Sequence, residues 1–537
     1  MGVFRRRENR YDRRGGVAFR PIAMTNRNSR LIFISFFVVL AVAFLLRLEV
    51  LQGPFRVFYT PLSLQDDYHR DHLVARHIVA YQEYPRAGPD SSFTRYLNSP
   101  AYFYLLALPL FVSEDFMVLG IFNLALQLAA LVLVFALART LFGNGTALLA
   151  AALFGFHQRV LGQSNWMWQP NAMQPFLLLG YLLLALAYQK KSFAHAIASV
   201  PVVFFALALH ASVLAIVPLY ILFLGIVLRH LNGTVKQYAI TAAVCVSSLV
   251  VFYAPLFAFA GGAGIADFLG QMNKDMLAGI SESFTMFSRY ILFSNVHSSL
   301  QLAAFLSTLF IAVFHYFFRS GRDPQRKLVN AVLAVSLAWF LFAASVLPET
   351  GKVHYFIPVL GLSVIFVAEI IDGLRKYSLK AAAVVAVLFF TAPMSFALVQ
   401  KMAREGIPGI ASSYRSPPFI LAMRDLVLEM KEAGAESGEF GFRFYKENAD
   451  GKYAPAGYGQ DMFWNSMEME LGSKLTKIDD SAYRSYHPLM SEEYVFVACD
   501  GGQDASPCLD VFLKDRPGYE LRKEFRAEPY QMYLMKK

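Results

Sequence analysis

The chain has 537 residues, of which 56% are hydrophobic and 16% are charged, with a formal net charge of +10. Soluble globular proteins carry about 25% charged residues, so this composition excludes a single ordinary soluble domain, a disordered chain and a fibrous repeat. Because a spanning helix needs about 20 apolar residues, the sequence predicts a polytopic helical membrane protein with room for a soluble part.

The positive charge is concentrated in the first 30 residues, which hold nine arginines against Glu8 and Asp12. A basic segment before a hydrophobic span sets topology and contacts anionic lipid, and nucleic-acid binding is its alternative role. Since nothing after it resembles a nucleic-acid-binding module, we predict a cytoplasmic tail over 1–30 and no nucleic-acid partner. The apolar run 31–46 has no small-residue cleavage site before Gln52, which argues against a cleaved signal peptide.

Eleven apolar segments are predicted to cross the membrane. They lie at residues 31–50, 117–138, 146–162, 171–188, 192–210, 211–229, 238–258, 299–318, 328–347, 353–371 and 380–398. The apolar run 100–112 is too short to cross a hydrocarbon core of about 30 Å, so it is predicted to be an interfacial helix. Its aromatic residues Tyr102, Phe103 and Tyr104 are expected at headgroup depth.

The charges between these spans predict the orientation of the chain. With a cytoplasmic N-terminus, every cytoplasmic connection is basic, as the positive-inside rule requires. These connections begin at Arg139, Lys190, Arg229, Arg319 and Arg375. An odd number of spans then places the C-terminus on the outer side of the membrane.

Three long segments, 51–116, 259–298 and 399–537, fall on that outer side. The first two are rich in polar and aromatic residues and belong to the predicted transmembrane catalytic domain, 31–398. Long loops on a rigid scaffold are where functional residues concentrate, so we expect the active site there.

The segment 399–537 is predicted to be a small extracytoplasmic α/β domain, because its composition shifts towards charged residues and glycine. Its predicted elements are an amphipathic helix and two strands, at 419–433, 493–498 and 530–535. Cys499 and Cys508 are too sparse for a metal site, and an extracytoplasmic position would allow a disulfide between them.

The first outer loop holds a dense group of ionisable residues between Gln65 and His77. Asp66 and Asp67 stand at the start of a predicted short helix, where carboxylates cap the N-terminus and favour the helix dipole. Catalysis is the alternative, because a carboxylate near the membrane surface can remove the proton of an acceptor hydroxyl. The residue types alone leave both roles open.

His69 lies beside this acidic pair, and carboxylates with histidine suit Zn²⁺ or Mn²⁺. The spacing Asp-Asp-x-His is not a characteristic metal-binding pattern, so no metal ligand is assigned. A divalent metal is left open as a cofactor, and no other cofactor is expected.

The same loop continues with Gly88-Pro89 and then Pro100-Ala-Tyr-Phe-Tyr-Leu-Leu-Ala107. An acidic pair after the first span, a Gly-Pro and a Pro-x-Tyr-x-Tyr-Leu-Leu-Ala motif resemble the opening of the GT-C glycosyltransferases. The chain is similar to the bacterial branch that includes protein O-mannosyltransferases and the lipid A aminoarabinose transferase. The span count, the long first loop, the interfacial helices and the outer C-terminal domain extend the resemblance over nearly the whole chain.

The resemblance implies an enzyme of the bacterial inner membrane that takes a sugar from a polyprenyl-phosphate donor on the outer face. The acceptor would be a hydroxyl of a glycolipid, a polysaccharide or a protein. By position, the family's catalytic carboxylate falls on Asp66, as general base of an inverting transfer. The family often has Asp-Glu where this chain has Asp66-Asp67, so the choice within the pair is open.

A polyprenyl phosphate leaving group needs positive charge beside it. The loop 349–358 resembles the family's phosphate-side loop, which implies that Lys352 and His354 contact the phosphate and that Tyr355 hydrogen-bonds to it. Interfacial anchoring is the alternative role of Lys352 and Tyr355. Arg289 is a second candidate for the phosphate.

Trp168 and Asn171 begin the fourth span on the outer side. Tryptophan faces stack on sugar C–H groups, and an Asn amide both donates to and accepts from hydroxyls, although an aromatic belt is the alternative. Similar transferases carry an acidic or amide residue at the position of Asn171. Because this chain has the amide, no second acid is assigned there. His210, between the fifth and sixth spans, and His69 complete the predicted sugar and acceptor contacts.

Two other classes of protein fit the same hydropathy pattern. A transporter or flippase of lipid-linked sugars places ionisable residues inside its spans, and here the spans are nearly free of charge. A scaffolding membrane protein has no need of the Asp66-Asp67 pair. The gathering of charge and histidine in the outer loops therefore favours a glycosyltransferase.

Overall fold

The structure is a computed structural model. It describes residues 26–58, 66–89, 98–113, 116–157, 160–161, 167–260, 357–375, 379, 440–447, 453–455, 494–500, 506–515, 517–527 and 530–536. The helices in the first part of the chain are α1 (Asn26–Phe58), α2 (Asp66–Tyr81), α3 (Ala101–Leu110), α4 (Phe116–Phe142), α5 (Asn144–Phe156), α6 (Gln169–Lys190), α7 (Phe193–Leu209), α8 (Val217–His230), α9 (Val235–Ala260) and α10 (Ile357–Arg375).

Five helices of the described part are long and apolar enough to cross a membrane, at Arg30–Leu48, Val118–Phe142, Gln169–Lys190, Val235–Leu256 and Ile357–Arg375. Helices α3, α5, α7 and α8 are shorter and also apolar. The chain is therefore a helical membrane protein, as its composition predicts. The predicted spans 299–318, 328–347 and 380–398 lie outside the described residues, so the total of eleven remains a prediction.

Two predicted spans differ from the helices at their positions. In the segment predicted as 146–162, helix α5 ends at Phe156, and His157 takes an extended conformation that stops it. The span predicted at 211–229 opens with a short 3₁₀ helix, and α8 begins only at Val217. A proline follows Val217, and proline favours the first turn of a helix.

Small residues allow the central helices to approach closely. An added Cβ at Gly180 in α6 would overlap the side chain of Val203 in α7. An added Cβ at Gly361 in α10 would lie 2.8 Å from Leu178 of α6. Close packing at small residues is how helices associate in lipid. α10 is buried along nearly all of its length, whereas α1 and α9 expose most of their apolar surface, as lipid-facing helices do.

A polar contact joins the start of α5 to the end of α10. The Thr146 hydroxyl donates to Oε2 of Glu369 at 3.0 Å and lies 3.3 Å from Oδ2 of Asp372. Asp372 also pairs with Nη2 of Arg375 at 2.9 Å. Two carboxylates beside the N-terminus of α5 are favoured by its dipole, which gives these charges at the helix end a structural role.

The last part of the chain contains a mixed sheet. Its strands are β1 (Phe440–Glu447), β2 (Tyr453–Pro455), β3 (Tyr494–Asp500), β4 (Glu520–Ala527) and β5 (Tyr530–Lys536), in the order β2-β1-β3-β5-β4. β1 and β3 are parallel, and the other neighbours are antiparallel. Both predicted strands are therefore present, while the predicted helix 419–433 lies outside the described residues.

Helix α11 (Ser506–Asp515) contacts this sheet and covers part of its core. Cys508 of α11 forms a disulfide with Cys499 of β3, with their Cα atoms 6.2 Å apart. Val497 and Phe512 are buried around this bridge. A sheet with a helix held to it agrees with the α/β prediction, and the boundary of the domain and its side of the membrane remain predictions.

Candidate functional site

Helix α2 begins at Asp66, so the acidic pair occupies its first turn, where the sequence predicts a helix start. Carboxylates in this turn favour the positive end of the helix dipole. The side chains of Asp66, Asp67 and His69 lie outside the described part of the structure. Their predicted roles in catalysis and acceptor binding therefore stay predictions.

Further along α2, three ionisable side chains are buried. Asp71, His72 and Arg76 are each at most 2% exposed. They fall on one side of the helix, because His72 and Arg76 are one turn apart and Asp71 precedes them. Burying charged groups is expensive unless they are compensated, so this face of α2 is a polar part of the protein interior and not a solvated surface. Their burial was not foreseen from the sequence.

The Gly-Pro motif is joined to the segment that leads into α3. The Gly88 N–H donates to the Asn98 carbonyl at 2.8 Å, and Nδ2 of Asn98 donates to the Pro89 carbonyl at 2.8 Å. An added Cβ at Gly88 would overlap the carbonyl oxygen of Ser99. Position 88 therefore requires glycine, and the Gly-Pro pair is in direct contact with the residues that precede the Pro100–Ala107 motif.

Helix α3 is present, but its aromatic residues are not all at a lipid interface as predicted. Tyr102 and Phe103 are buried in protein, and the Tyr102 hydroxyl donates to the Met167 carbonyl at 2.8 Å. The Tyr104 hydroxyl donates to the Pro85 carbonyl at 3.0 Å, and burial, with nearby Tyr84, raises its pKa. Backbone carbonyls of the protein thus satisfy both phenol groups.

The bond from Tyr102 to Met167 brings the first outer loop to the entry of α6, where Trp168 and Asn171 lie. Trp168 is half-buried and its carbonyl accepts the backbone N–H of Asn171 at 2.9 Å. The Asn171 side chain is 1% exposed. It is therefore enclosed between helices and does not line an open surface.

Gln127 of α4 satisfies a backbone group that the α6 sequence leaves open. In a helix the Asn171 carbonyl would accept the N–H of residue 175, but Pro175 has no N–H. Nε2 of Gln127 donates to that carbonyl at 3.2 Å. Gln127 was not among the predicted site residues, because the partner of a glutamine in an apolar span is known only when the neighbouring helix is known.

Gln127 belongs to a group of four buried amides at the contact between α4 and α6, which we call the amide cluster. Its members are Asn123, Gln127, Asn171 and Gln174. Nε2 of Gln174 lies 3.5 Å from the carbonyl of Ile357, the first residue of α10. Oε1 of Gln127 and Oε1 of Gln174 accept no hydrogen bond from any described residue. Amide oxygens of this kind can accept from the hydroxyls of a sugar.

His210 ends α7 and caps the 3₁₀ helix that follows. Its Nδ1 accepts the backbone N–H of Ser212 at 3.2 Å and lies 2.6 Å from the Ser212 hydroxyl oxygen. Because Nδ1 is an acceptor here, a neutral ring carries its proton on Nε2. The structure therefore gives His210 a capping role, and its predicted contact with a sugar remains a prediction.

The residues predicted to hold the donor phosphate, Lys352, His354, Tyr355 and Arg289, lie outside the described residues. The described part of α10 begins at Ile357, and residues 353–356 of the predicted span lie outside the described residues. Within the described part of the chain, no three His, Cys, Asp or Glu residues stand close enough together to hold a metal ion.

The described helices form an apolar bundle in which the helical first loop is joined to the entry of α6. The fold is similar to that of ArnT from Cupriavidus metallidurans in the apo state. That crystal structure matches with a TM-score of 0.57 and 10% identity, over 95% of this chain and 98% of that one. At this identity the match establishes the fold.

Two further crystal structures match with a TM-score of 0.49. One is ArnT from Cupriavidus metallidurans bound to undecaprenyl phosphate, with 12% identity over 95% of this chain and 98% of that one. The other is the Archaeoglobus fulgidus oligosaccharyltransferase tethered with an acceptor peptide, with 11% identity over 82% of this chain. The chain spans 63% of the length of that archaeal protein. No family model and no curated protein sequence matches the chain.

Proposed function

We propose that this protein is a glycosyltransferase that moves a sugar from a polyprenyl-phosphate carrier to a hydroxyl acceptor. The observation that supports it most is the shared fold with ArnT over nearly the full length of both chains. ArnT has been crystallised with undecaprenyl phosphate, which is the class of carrier proposed here. The two carboxylates at the start of α2, in the first outer loop, add a candidate base.

In the proposed reaction, Asp66 or Asp67 takes the proton of the acceptor hydroxyl. The hydroxyl oxygen attacks the anomeric carbon on the face opposite the phosphate, and the bond between that carbon and the phosphate oxygen breaks. The polyprenyl phosphate leaves with the electron pair, and the anomeric configuration inverts. Lys352 and His354 would stabilise the negative charge on the phosphate, with Tyr355 as a hydrogen-bond donor and Arg289 as a second cation.

The donor sugar would be held near the entry of α6. Trp168 is half-buried there and offers a flat face, and Asn171, which is enclosed between helices in this structure, is the predicted amide contact. His210 and His69 are the remaining candidates for sugar and acceptor contacts. The acceptor would be a glycolipid, a polysaccharide or a protein, and a divalent metal stays open.

The proposed location is a bacterial inner membrane, with a cytoplasmic N-terminus and the C-terminal sheet outside. The disulfide between Cys499 and Cys508 supports this side for the sheet, because disulfides persist in oxidising compartments.

A transporter or flippase of lipid-linked sugars is a second candidate. Arg47 is an ionisable residue buried within a spanning helix, which is where transporters place such groups. A transporter moves the donor unchanged, whereas a transferase separates the sugar from the phosphate.

Transfer from radiolabelled polyprenyl-phosphate sugars to a membrane extract tests the proposed base. The double substitution Asp66→Asn and Asp67→Asn should lower the transfer rate by about 100-fold or more, since a general base contributes about 10² to 10⁴. Asp510→Asn, which changes an exposed carboxylate of α11, is the matched control and should leave the rate unchanged. Full activity in the double variant would overturn the proposed mechanism.

A further inference from the structure

Arg47 is a buried cation in the first spanning helix that the proposed mechanism does not use. Its side chain is 0% exposed, and it is the last residue but one of the span Arg30–Leu48. At about 1.5 Å per residue, it lies about 26 Å along the helix axis from Arg30. In a hydrocarbon core of about 30 Å, this depth is close to the boundary opposite the basic tail, where lipid phosphates lie.

One nitrogen of the guanidinium group stabilises the backbone around it. Nη1 of Arg47 donates to the Ala43 carbonyl at 3.0 Å and to the Gly155 carbonyl at 2.9 Å. Gly155 is next to the last residue of α5, so its carbonyl has no donor within its own helix. This contact caps α5, and the negative end of the α5 dipole compensates part of the charge.

The other edge of the guanidinium group is unused. Nε and Nη2 of Arg47 are buried and donate to no group in the described part of the chain, nor does any carboxylate there pair with the side chain. A helix end supplies only about half a charge. A buried arginine with an uncompensated edge is costly in a membrane, so such residues generally mark functional sites.

We propose that the Nε and Nη2 edge of Arg47 binds the phosphate group of a membrane lipid. These two nitrogens carry parallel N–H bonds, which match two oxygens of one phosphate. The lipid is either the polyprenyl phosphate of the donor, an assignment that rests on the proposed function, or an anionic phospholipid. Both sources present the same phosphate chemistry at the depth of Arg47.

Binding of purified full-length protein to three lipids in detergent micelles tests this site. The lipids are undecaprenyl phosphate, undecaprenol as its phosphate-free control, and phosphatidylglycerol. Arg47→Gln keeps a polar side chain but removes the charge and the paired donors. Arg139→Gln, on an exposed arginine of α4, is the matched control.

The wild-type protein should bind undecaprenyl phosphate at least about tenfold more tightly than undecaprenol, and Arg47→Gln should remove about 10- to 100-fold of that affinity. Arg139→Gln should bind as the wild type does. Loss confined to undecaprenyl phosphate identifies the donor as the ligand, and an equal loss for phosphatidylglycerol identifies a phospholipid. Unchanged binding of both phosphates by Arg47→Gln, with only a lower unfolding temperature, would leave Arg47 as a helix cap and overturn the proposal.

Arg47→Lys keeps the test decisive if the glutamine variant does not fold, because it keeps the charge and loses the paired donors. It should bind the phosphate lipid at least about threefold more weakly than wild type. Equal binding would contradict the proposal. The transfer assay separates the two ideas: loss of lipid binding in an Arg47 variant, with no transfer by the wild type, supports this site and contradicts the proposed function. Active transfer by the wild type, with unchanged lipid binding in the Arg47 variants, supports the proposed function and contradicts this site.

Discussion

At the scale of single residues, the described interior is organised by side chains that satisfy backbone groups. Pro175 leaves the Asn171 carbonyl without a helical donor, and Gln127 supplies one from the neighbouring helix. Tyr253 does the same for the Leu207 carbonyl near the end of α7. In a membrane no water is present to do this, so each of these side chains has a defined structural purpose.

A double-mutant cycle tests the relation between Gln127 and Pro175. Gln127→Leu should destabilise the protein by about 1 kcal/mol, because the Asn171 carbonyl loses its donor. Pro175→Ala restores a backbone N–H one turn later, so Gln127→Leu should cost less in that background. Thermal unfolding in detergent measures the cost of Gln127→Leu in each background. Strictly additive effects of the two substitutions would contradict the hydrogen-bond account.

At the scale of elements, the first loop is held by backbone contacts as well as by apolar packing. The close approach of Gly88 to Asn98 and Ser99 brings together the residues that flank positions 90–97 in the chain. The bond from Tyr102 to Met167 then joins α3 to the entry of α6. The position of α2, and with it the position of the acidic pair, therefore depends on these two contacts.

Gly88→Ala should lower both the unfolding temperature and the transfer rate, because the added Cβ meets a backbone carbonyl that cannot rotate away. Gly225→Ala in α8 is the matched control. An added Cβ there meets nothing within 4 Å, and alanine in a helix is favoured over glycine by up to about 1 kcal/mol. Equal effects of the two substitutions on unfolding would show that the contact at Gly88 does not constrain the loop.

The helices and strands of the described part were largely predictable, because hydropathy and alternation are local properties of the sequence. The burial of Arg47 and of the amide cluster was not, because it depends on which helices are neighbours. An arginine near the end of a span is expected to extend to the headgroups, and Arg47 is instead buried, with one nitrogen donating to a carbonyl at the end of α5. The burial of Tyr102 likewise depends on the Met167 carbonyl, 65 residues away in the chain.

At the scale of the whole molecule, the first property to measure is the topology of the chain, that is, which side of the membrane each segment faces. A reporter enzyme that needs disulfides for activity should be active when fused after Lys537 and inactive when fused after Lys191, because disulfides form outside the cytoplasm. The basic residues Lys190 and Lys191 place the second fusion point on the inner side. An active reporter after Lys191 would contradict the predicted orientation.

The fold shared with ArnT is compatible with a transferase and with a carrier of lipid-linked sugars. The two activities differ in what happens to the bond between sugar and phosphate: a transferase breaks it, and a transporter leaves it intact. Buried ionisable groups in the spans do not decide between them, because a phosphate-binding arginine serves either activity.

The most direct test of the central claim is a balance of label in proteoliposomes that contain the protein, a radiolabelled polyprenyl-phosphate sugar and a membrane extract as acceptor. A glycosyltransferase should move the label to the acceptor and release one polyprenyl phosphate for each sugar transferred, and the Asp66→Asn and Asp67→Asn double variant should do neither. Label that stays on the carrier but changes membrane leaflet in both proteins would contradict the proposed activity and identify a transporter.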